Sequence, residues 1–489
     1  MVSAPNAACD NIKALRLPDV RFTEVTDVRD SVQRSDNVRT PHCRVAGVIG
    51  KGAAFVVMLP NRWNQRMLMA GNGGFAGTIS RGVFPLSDQG YVTVSTNTGH
   101  DETDGGGARW ALNDLERQLD YGHVAVHRTA EVAKVVARNF YGSEPRFSYF
   151  NGCSNGGRQA LMEAQRYPDD FDGIIAGAPA AQFTRIGASF MKNLKAVFPD
   201  PSYFNKPIVT PANLALVSAK VLDACDIADG VKDGVLDDPR ACRFKLASVR
   251  SCPANRAADD CLTTAQRAAV AAIYAPTLEG SAVLYPGQPF GVEAAGWPAW
   301  ITGRDSNMMK SLHVPNLQAM FATEGAKYFA FGDSTWNYSK FRGSFYEPMK
   351  RFANVLDADN PDLTRFAARK GKLILYHGWA DPALNPLGTI EYYSKVMERD
   401  PNATEYTRLY MMPGVLHCGG GPGPSTVSWL PAVVDWVEKS RAPDQLVATK
   451  SDASRKVIRA RPLCAYPKRA VYSGQGSTDE AANFSCKAP

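Results

Sequence analysis

Two short segments, Gly152-Cys153-Ser154-Asn155-Gly156 and His417-Cys418, restrict what this chain can fold into more than anything else in it. The first fits the G-x-S-x-G turn that holds a serine on a sharp bend between a strand and a helix. A serine hydroxyl is a poor nucleophile until a base takes its proton, so such a serine needs a histidine within about 3 Å. If that base is His417, the two segments must meet in space despite their separation along the chain. The cysteines beside them would then lie close enough to bridge, because a disulfide needs Cα atoms within roughly 7 Å. A serine hydrolase with a bridge pinned across its nucleophile and base accounts for both pairs at once.

The surrounding pattern supplies the context such a turn demands. Residues 44–58 read as an early strand pair, and Arg66-Met67-Leu68-Met69-Ala70 as a buried strand running into Gly71-Asn72-Gly73-Gly74. Tyr91-Val92-Thr93-Val94-Ser95 is another strand, and residues 124–140 are helical, with Val132, Val135, Val136 and Phe140 on or near one face. A strand at 147–150, the Ser154 turn, a helix to Tyr167 stopped by Pro168 and a strand at 173–176 follow. Residues 181–368 lose this rhythm and hold four cysteines. The alternation resumes with a strand at 372–376, a helix around 386–398, a strand at 406–411 and a helix from about 427 to 438. The pattern predicts an α/β fold of the α/β-hydrolase type: residues 1–180 and 369–489 form the catalytic domain, and residues 181–368 a large inserted lid domain.

In α/β-hydrolases the chain order is Ser, then acid, then His. Of seven histidines only those at 313, 377 and 417 follow Ser154. His417 lies just beyond a strand, and Asp381 sits after the strand 372–376, both at the sheet edge where ligands bind. Taken singly, Asp381 before Pro382 also suits a helix N-cap, and His417 an ordinary loop. Jointly, order, strand ends and flanking cysteines favour a Ser154–Asp381–His417 triad. Its oxyanion donors are expected to be the backbone N–H of Asn155 and one from the glycine loop, Gly73 or Gly74. That loop lacks the spacing and the Lys-Ser/Thr of a phosphate-binding loop. His123 and His127 share a helix face, but no Glu follows His123, so the zinc-protease motif fails and a packed or surface pair is expected.

Composition excludes other classes. The net charge of +7 comes from 55 basic and 48 acidic residues with no long Lys/Arg run, so nucleic acid is not an expected partner. No apolar stretch approaches the roughly 20 residues of a membrane span. The ten cysteines include no close CxxC pair and several neighbours bracketing loops, a pattern of structural disulfides in an oxidising compartment. The start of the chain has no signal-peptide pattern and reads as a mature sequence with an added Met, so a secreted or periplasmic location is expected with the signal removed. In the lid, Asp226, Asp229 and Asp233, with the carbonyls of Val231 and Val235, form a turn-rich set of hard oxygen donors that suits Ca²⁺. A solvated acidic turn between Cys225 and Cys242 is the other reading of those residues. No organic cofactor is implied, and oligomeric state leaves no mark.

At Phe150–Arg158, Tyr167–Gly173, Tyr376–Asp381 and His417–Gly421 the chain resembles the tannase/feruloyl esterase family of α/β-hydrolases, which includes mono(2-hydroxyethyl) terephthalate hydrolases. The resemblance runs over nearly the whole chain. It puts the family's triad on Ser154, Asp381 and His417, its bridge between the neighbours of serine and histidine on Cys153 and Cys418, and its lid calcium on Asp226, Asp229, Val231, Asp233 and Val235. It further implies bridges Cys9–Cys43, Cys225–Cys242, Cys252–Cys261 and Cys464–Cys486. Asn155 stands where Thr is common and Leu416 where Gly often precedes the base, departures that bear on substrate preference rather than on the catalytic groups. The expected activity is hydrolysis of esters of hydroxycinnamic, gallic or related aromatic acids through an acyl-enzyme. Lid aromatics among Trp297, Trp300, Phe331 and Trp336 are candidates to sandwich the ring. The alternatives are a mono(2-hydroxyethyl) terephthalate hydrolase-like esterase, an acyltransferase using the same triad and, least favoured, a binding protein that kept the fold.

Overall fold

The computed structural model describes residues 5–29, 36–101, 107–304, 310, 313–339, 341 and 343–488. Its frame is a nine-stranded mixed sheet: β1 (Val20–Val28), β2 (His42–Ile49), β3 (Ala53–Pro60), β4 (Arg66–Ala70), β5 (Val92–Thr96), β6 (Phe147–Cys153), β7 (Gly173–Gly177), β8 (Lys372–Gly378) and β9 (Thr407–Met412). The spatial order is β1-β2-β3-β5-β4-β6-β7-β8-β9. The first three strands form an antiparallel meander that meets β5 antiparallel. From β5 onward neighbours are parallel. The parallel strands read as near-continuous apolar runs because both faces are covered, and every residue of β5 and β7 is buried.

One face packs against the helices Ala125–Tyr141, Asn155–Arg166 and Pro386–Arg399. Ala125–Tyr141 buries a small-residue stripe, Ala125, Ala130, Ala133 and Ala137 among it, and ends at Gly142 in the left-handed conformation. The other face packs against the helix Trp429–Lys439 and the turn that buries Val83 and Phe84. His123 and His127 are absorbed into packing: their Nδ1 atoms lie 2.7 Å from Tyr167 Oη and 2.6 Å from Asp170 Oδ2.

Between β7 and β8 the chain makes a long excursion. It holds the helices Phe183–Val197, Pro211–Cys225, Thr264–Tyr274 and Leu317–Gly325 and a short hairpin, Thr277–Glu279 with Ala282–Tyr285. These pack around an apolar cluster in which Trp297, Phe329, Val217 and Ile273 are fully buried and which Phe75, Trp110, Tyr121 and Leu384 of the flanking chain join. Two of the helices start on reciprocal caps, Thr210 with Asn213 and Thr263 with Gln266. Both ends of the excursion leave strands that are hydrogen-bonded neighbours, with Tyr376 opposite Gly177.

All five implied disulfides are present: Cys9–Cys43, Cys153–Cys418, Cys225–Cys242, Cys252–Cys261 and Cys464–Cys486. Beyond residue 440 lie two hairpins that the sequence pattern does not mark, Gln445–Ser451 with Val457–Cys464 and Arg469–Tyr472 with Phe484–Lys487. Their strands are half-exposed and carry charges at both kinds of position, so no clean alternation survives. Among the described residues no helix is long and apolar enough to cross a membrane.

Candidate active site

Ser154 stands at the C-terminal end of β6, immediately before the helix Asn155–Arg166. Its backbone is at φ 66°, ψ −124°, a region a non-glycine residue occupies only when its surroundings impose it. The surroundings here are the flanking glycines. A Cβ on Gly152 would fall 2.4 Å from the Gly156 carbonyl oxygen, and one on Gly157 would fall 2.3 Å from that of Gly177. Their absence lets the elbow close onto itself and onto β7, where Ser154 N–H donates to Gly177 O at 2.9 Å.

The turn delivers the hydroxyl to His417, whose Nε2 lies 2.9 Å from Ser154 Oγ. His417 Nδ1 lies 2.7 Å from Asp381 Oδ2. A carboxylate only accepts, so Nδ1 carries the proton and Nε2 is left to accept from the serine. The Cys153–Cys418 bridge, with Cα atoms 6.0 Å apart, joins the residues next to Ser154 and His417. Asp381 is fully buried, and its Oδ1 accepts the backbone N–H groups of Ala383 and Leu384 at 2.7 and 3.0 Å. Burial alone would push this carboxyl up. The charge of His417 and the hydrogen bonds from His377 and His417 outweigh it and hold the group well below the usual carboxylate range.

A fourth member was not singled out in the sequence. His377 is fully buried, with Nε2 3.2 Å from Asp381 Oδ2 and 3.0 Å from Leu384 O. Facing two acceptors, Nε2 must donate. Nδ1 then accepts from Thr389 Oγ1 at 2.7 Å. The only sequence signal was its place at the end of β8, four residues before Asp381.

The description "Tannase and feruloyl esterase" matches residues 39–487. The chain belongs to the tannase and feruloyl esterase family. It is a carboxylic ester hydrolase of that type. It is 31% identical to mono(2-hydroxyethyl) terephthalate hydrolase of Piscinibacter sakaiensis, covering 99% of this chain and 92% of that protein. It is 30% identical to feruloyl esterase B of Aspergillus niger over 88% of this chain and 82% of the other. Among solved structures, feruloyl esterase B from Aspergillus oryzae superposes with a TM-score of 0.87 at 26% identity, covering 99% of this chain and all of that one.

In this esterase Asn155 and Gly74 line the same cleft as Ser154, whereas Gly73 is not among its lining residues. Asn155 does more than offer a backbone N–H. Its side-chain Nδ2 donates to Asn72 O at 3.3 Å, and its Oδ1 accepts from Arg158 Nε at 2.7 Å. Arg158 is wholly buried, donating to the carbonyls of Tyr121, Gly122 and Leu356 at 2.8, 2.8 and 3.3 Å. Burial pushes the Tyr121 phenol up to about 12, so it stays a donor, to Gly74 O at 3.0 Å. The side chains of Asn155 and Tyr121 thus tie the elbow helix to the glycine loop.

The cleft is walled by Phe75, Phe183, Phe190, Phe321 and Phe345, with Trp300 edge-on to His417 at 5.0 Å between ring centroids. Of the four lid aromatics considered from sequence, only Trp300 lines it. Trp297 is fully buried against Tyr274, and Phe331 stacks on Trp336 away from the cleft. All four types look alike in sequence; which ring faces the cleft is decided by packing within the insertion.

Of the proposed calcium ligands, Asp229, Val231, Asp233 and Val235 line one cavity, which Asp237 joins. Asp226 is engaged with the loop itself, accepting the backbone N–H groups of Asp233 and Gly234 at 3.3 and 3.0 Å. Asp233 Oδ2 accepts from Arg461 Nη2 at 2.8 Å. The carboxylates of Asp229, Asp233 and Asp237 on this cavity are the hard oxygens that Ca²⁺ takes, but Arg459 and Arg461 line it too and both pair with Asp233 Oδ2, at 3.2 and 2.8 Å.

Proposed function

We propose that this chain is a secreted serine esterase that cleaves esters of aromatic acids through an acyl-enzyme. The observation that carries the reading is one imidazole held between a buried carboxylate at 2.7 Å and a serine hydroxyl at 2.9 Å, on the wall of a cleft lined by aromatic rings. His417 Nε2 takes the Ser154 proton as Oγ attacks the ester carbonyl, and Asp381 stabilises the imidazolium that forms. The negative oxygen of the tetrahedral intermediate accepts from the backbone N–H groups of Asn155 and Gly74. His417 then returns the proton to the departing alcohol, and a water repeats the sequence on the acyl-enzyme. The names of the relatives, feruloyl esterase and mono(2-hydroxyethyl) terephthalate hydrolase, both point to aromatic acyl groups.

Secretion is supported by the five bridges, which an oxidising compartment sustains. We also infer that the acidic loop from Asp226 to Asp237 holds a structural Ca²⁺, supported by the carboxylates of Asp229, Asp233 and Asp237 on one cavity, with the ion competing with Arg459 and Arg461 for Asp233. The test of the mechanism is Ser154→Ala. It should abolish turnover of methyl ferulate, and wild-type enzyme quenched in acid during turnover should carry the acyl mass on the peptide containing Ser154. Turnover retained by the alanine variant would overturn the mechanism.

A further inference from the structure

The cleft above Ser154 is distinguished by what its walls lack. Among the described residues only Ser154, Asn155 and His417 bring a strongly polar side chain to it. Each is already engaged, Ser154 and His417 with one another and Asn155 with Asn72 and Arg158. The rest of the lining is phenylalanine, aliphatic residues, methionine and glycine, and Trp300, whose indole N–H is a single neutral donor. No lysine, arginine, tyrosine, serine or threonine side chain other than Ser154 lines it among the described residues.

This wall chemistry narrows the substrate and rests on the serine-esterase reading above. We propose that the cleft selects uncharged aromatic acyl groups, bare or O-methylated, and turns away those bearing a second, ionised carboxylate or several free hydroxyls. An ionised carboxylate carried into this cleft loses its hydration and meets no lysine or arginine among the described lining residues, which is the costly case for a buried charge. Each phenolic hydroxyl gives up hydrogen bonds to water and, among the described lining side chains, finds no acceptor that is not already engaged, a smaller loss. A methoxy group has no donor to leave unpaired, and its methyl packs against the rings.

The experiment uses the full chain and matched methyl esters. Dimethyl and monomethyl terephthalate differ at the far end of the ring in charge, and methyl 3,4-dimethoxycinnamate and methyl caffeate only in whether the two ring oxygens are methylated. Each kcat/KM ratio is divided by the ratio for hydroxide-catalysed hydrolysis of the same pair, which removes intrinsic reactivity. The neutral diester should be favoured by about 100-fold or more, and the dimethoxycinnamate by about 10-fold, since an apolar pocket rejects an added hydroxyl only moderately. Normalised ratios near one, or reversed, would overturn the proposal. 4-Nitrophenyl acetate, assayed with wild type and Ser154→Ala, keeps the two readings apart. Loss of its turnover in the variant together with flat ratios removes the selectivity and spares the nucleophile. Turnover of this ester by the wild type with none of the aromatic esters accepted removes the aromatic acyl group itself.

Discussion

Replacing Asp381 by asparagine should reverse the imidazole that it orients, and the structure fixes which way the amide would sit. Asp381 Oδ1 accepts two backbone N–H groups, from Ala383 at 2.7 Å and Leu384 at 3.0 Å. An amide nitrogen there would set donor against donor at both contacts, at about 1–3 kcal/mol for each buried group left unpaired. The asparagine oxygen therefore takes the Oδ1 position, and its NH₂ takes that of Oδ2, 2.7 Å from His417 Nδ1. Meeting a donor, Nδ1 must accept, which moves the ring proton to Nε2 and points it at Ser154 Oγ. A base in that tautomer cannot take the serine proton.

The expected loss is about 10⁴ in kcat, the size seen when a triad histidine is held in the wrong tautomer, and equal to roughly 5.5 kcal/mol of barrier. KM should change little, because the cleft walls are untouched. The same NH₂ also confronts His377 Nε2, which already faces Leu384 O at 3.0 Å. One of these groups loses its partner, so stability should fall by about 1–3 kcal/mol. The assay is kcat and KM on a chromogenic ester, with circular dichroism and a urea titration to establish folding. A folded Asp381→Asn enzyme with kcat within tenfold of wild type would refute the tautomer argument.

Replacing Cys153 and Cys418 together by alanine should lower Tm, by an amount equivalent to about 2–5 kcal/mol, and reduce kcat because nucleophile and base are no longer tied; an unchanged Tm and kcat would show the bridge to be idle. Dialysis against a calcium chelator should lower Tm, with recovery on adding Ca²⁺ but not Mg²⁺; a site at 100 times its Kd contributes about 2.7 kcal/mol, and elemental analysis finding no calcium would remove the ion. Burial holds the Asp120 carboxyl up to about 6, against 3.8 when unfolded. The folded form therefore binds this proton more tightly, and the associated stability, intact below about 4, is lost as pH rises towards 6. Asp120→Asn should match wild type at pH 4 and exceed it by roughly 1–2 kcal/mol at pH 7, the full two-unit value being discounted for partial solvation; equal urea midpoints at both values would contradict this.

The parts of the fold legible in sequence are those where one physical signal dominates. Strands β4 and β6–β9 announce themselves as short apolar runs because both of their faces are covered. Strand β1 and the C-terminal hairpins do not, since their residues alternate poorly and remain half-exposed. That Ser154, Asp381 and His417 come together is legible in chain order and strand ends. The contacts of Arg158 and His377 are not, because nothing local requires an arginine to be ringed by the carbonyls of Tyr121, Gly122 and Leu356, or a histidine to face an acid four residues on. Choosing among the lid aromatics failed for a related reason: a ring in the core and a ring on a cleft wall obey the same hydrophobic rule.

The topology explains why a covalent tie belongs at this place. The insertion lies between β7 and β8, so every residue of it separates the strand that ends near the nucleophile from the strand that ends near the acid. Hydrogen bonding between β7 and β8, from Gly173 opposite Lys372 to Gly177 opposite Tyr376, holds those strands in register whatever the insertion does. That pairing stops short of His417, which sits in the loop after β9, one strand further out, where only turns and its hydrogen bonds would fix it. His417 is thus the member of the proposed triad least held by the sheet, and Cys153–Cys418 supplies the missing constraint directly beside the Ser154 hydroxyl. The wall of the cleft comes largely from the insertion, in Phe183, Phe190, Trp300, Phe321 and Phe345, while Ser154, Asp381 and His417 come from the segments that follow strands β6, β8 and β9. With His417 anchored independently, substitutions of the wall residues other than Trp300, which packs edge-on to His417, should leave the serine–histidine distance in place.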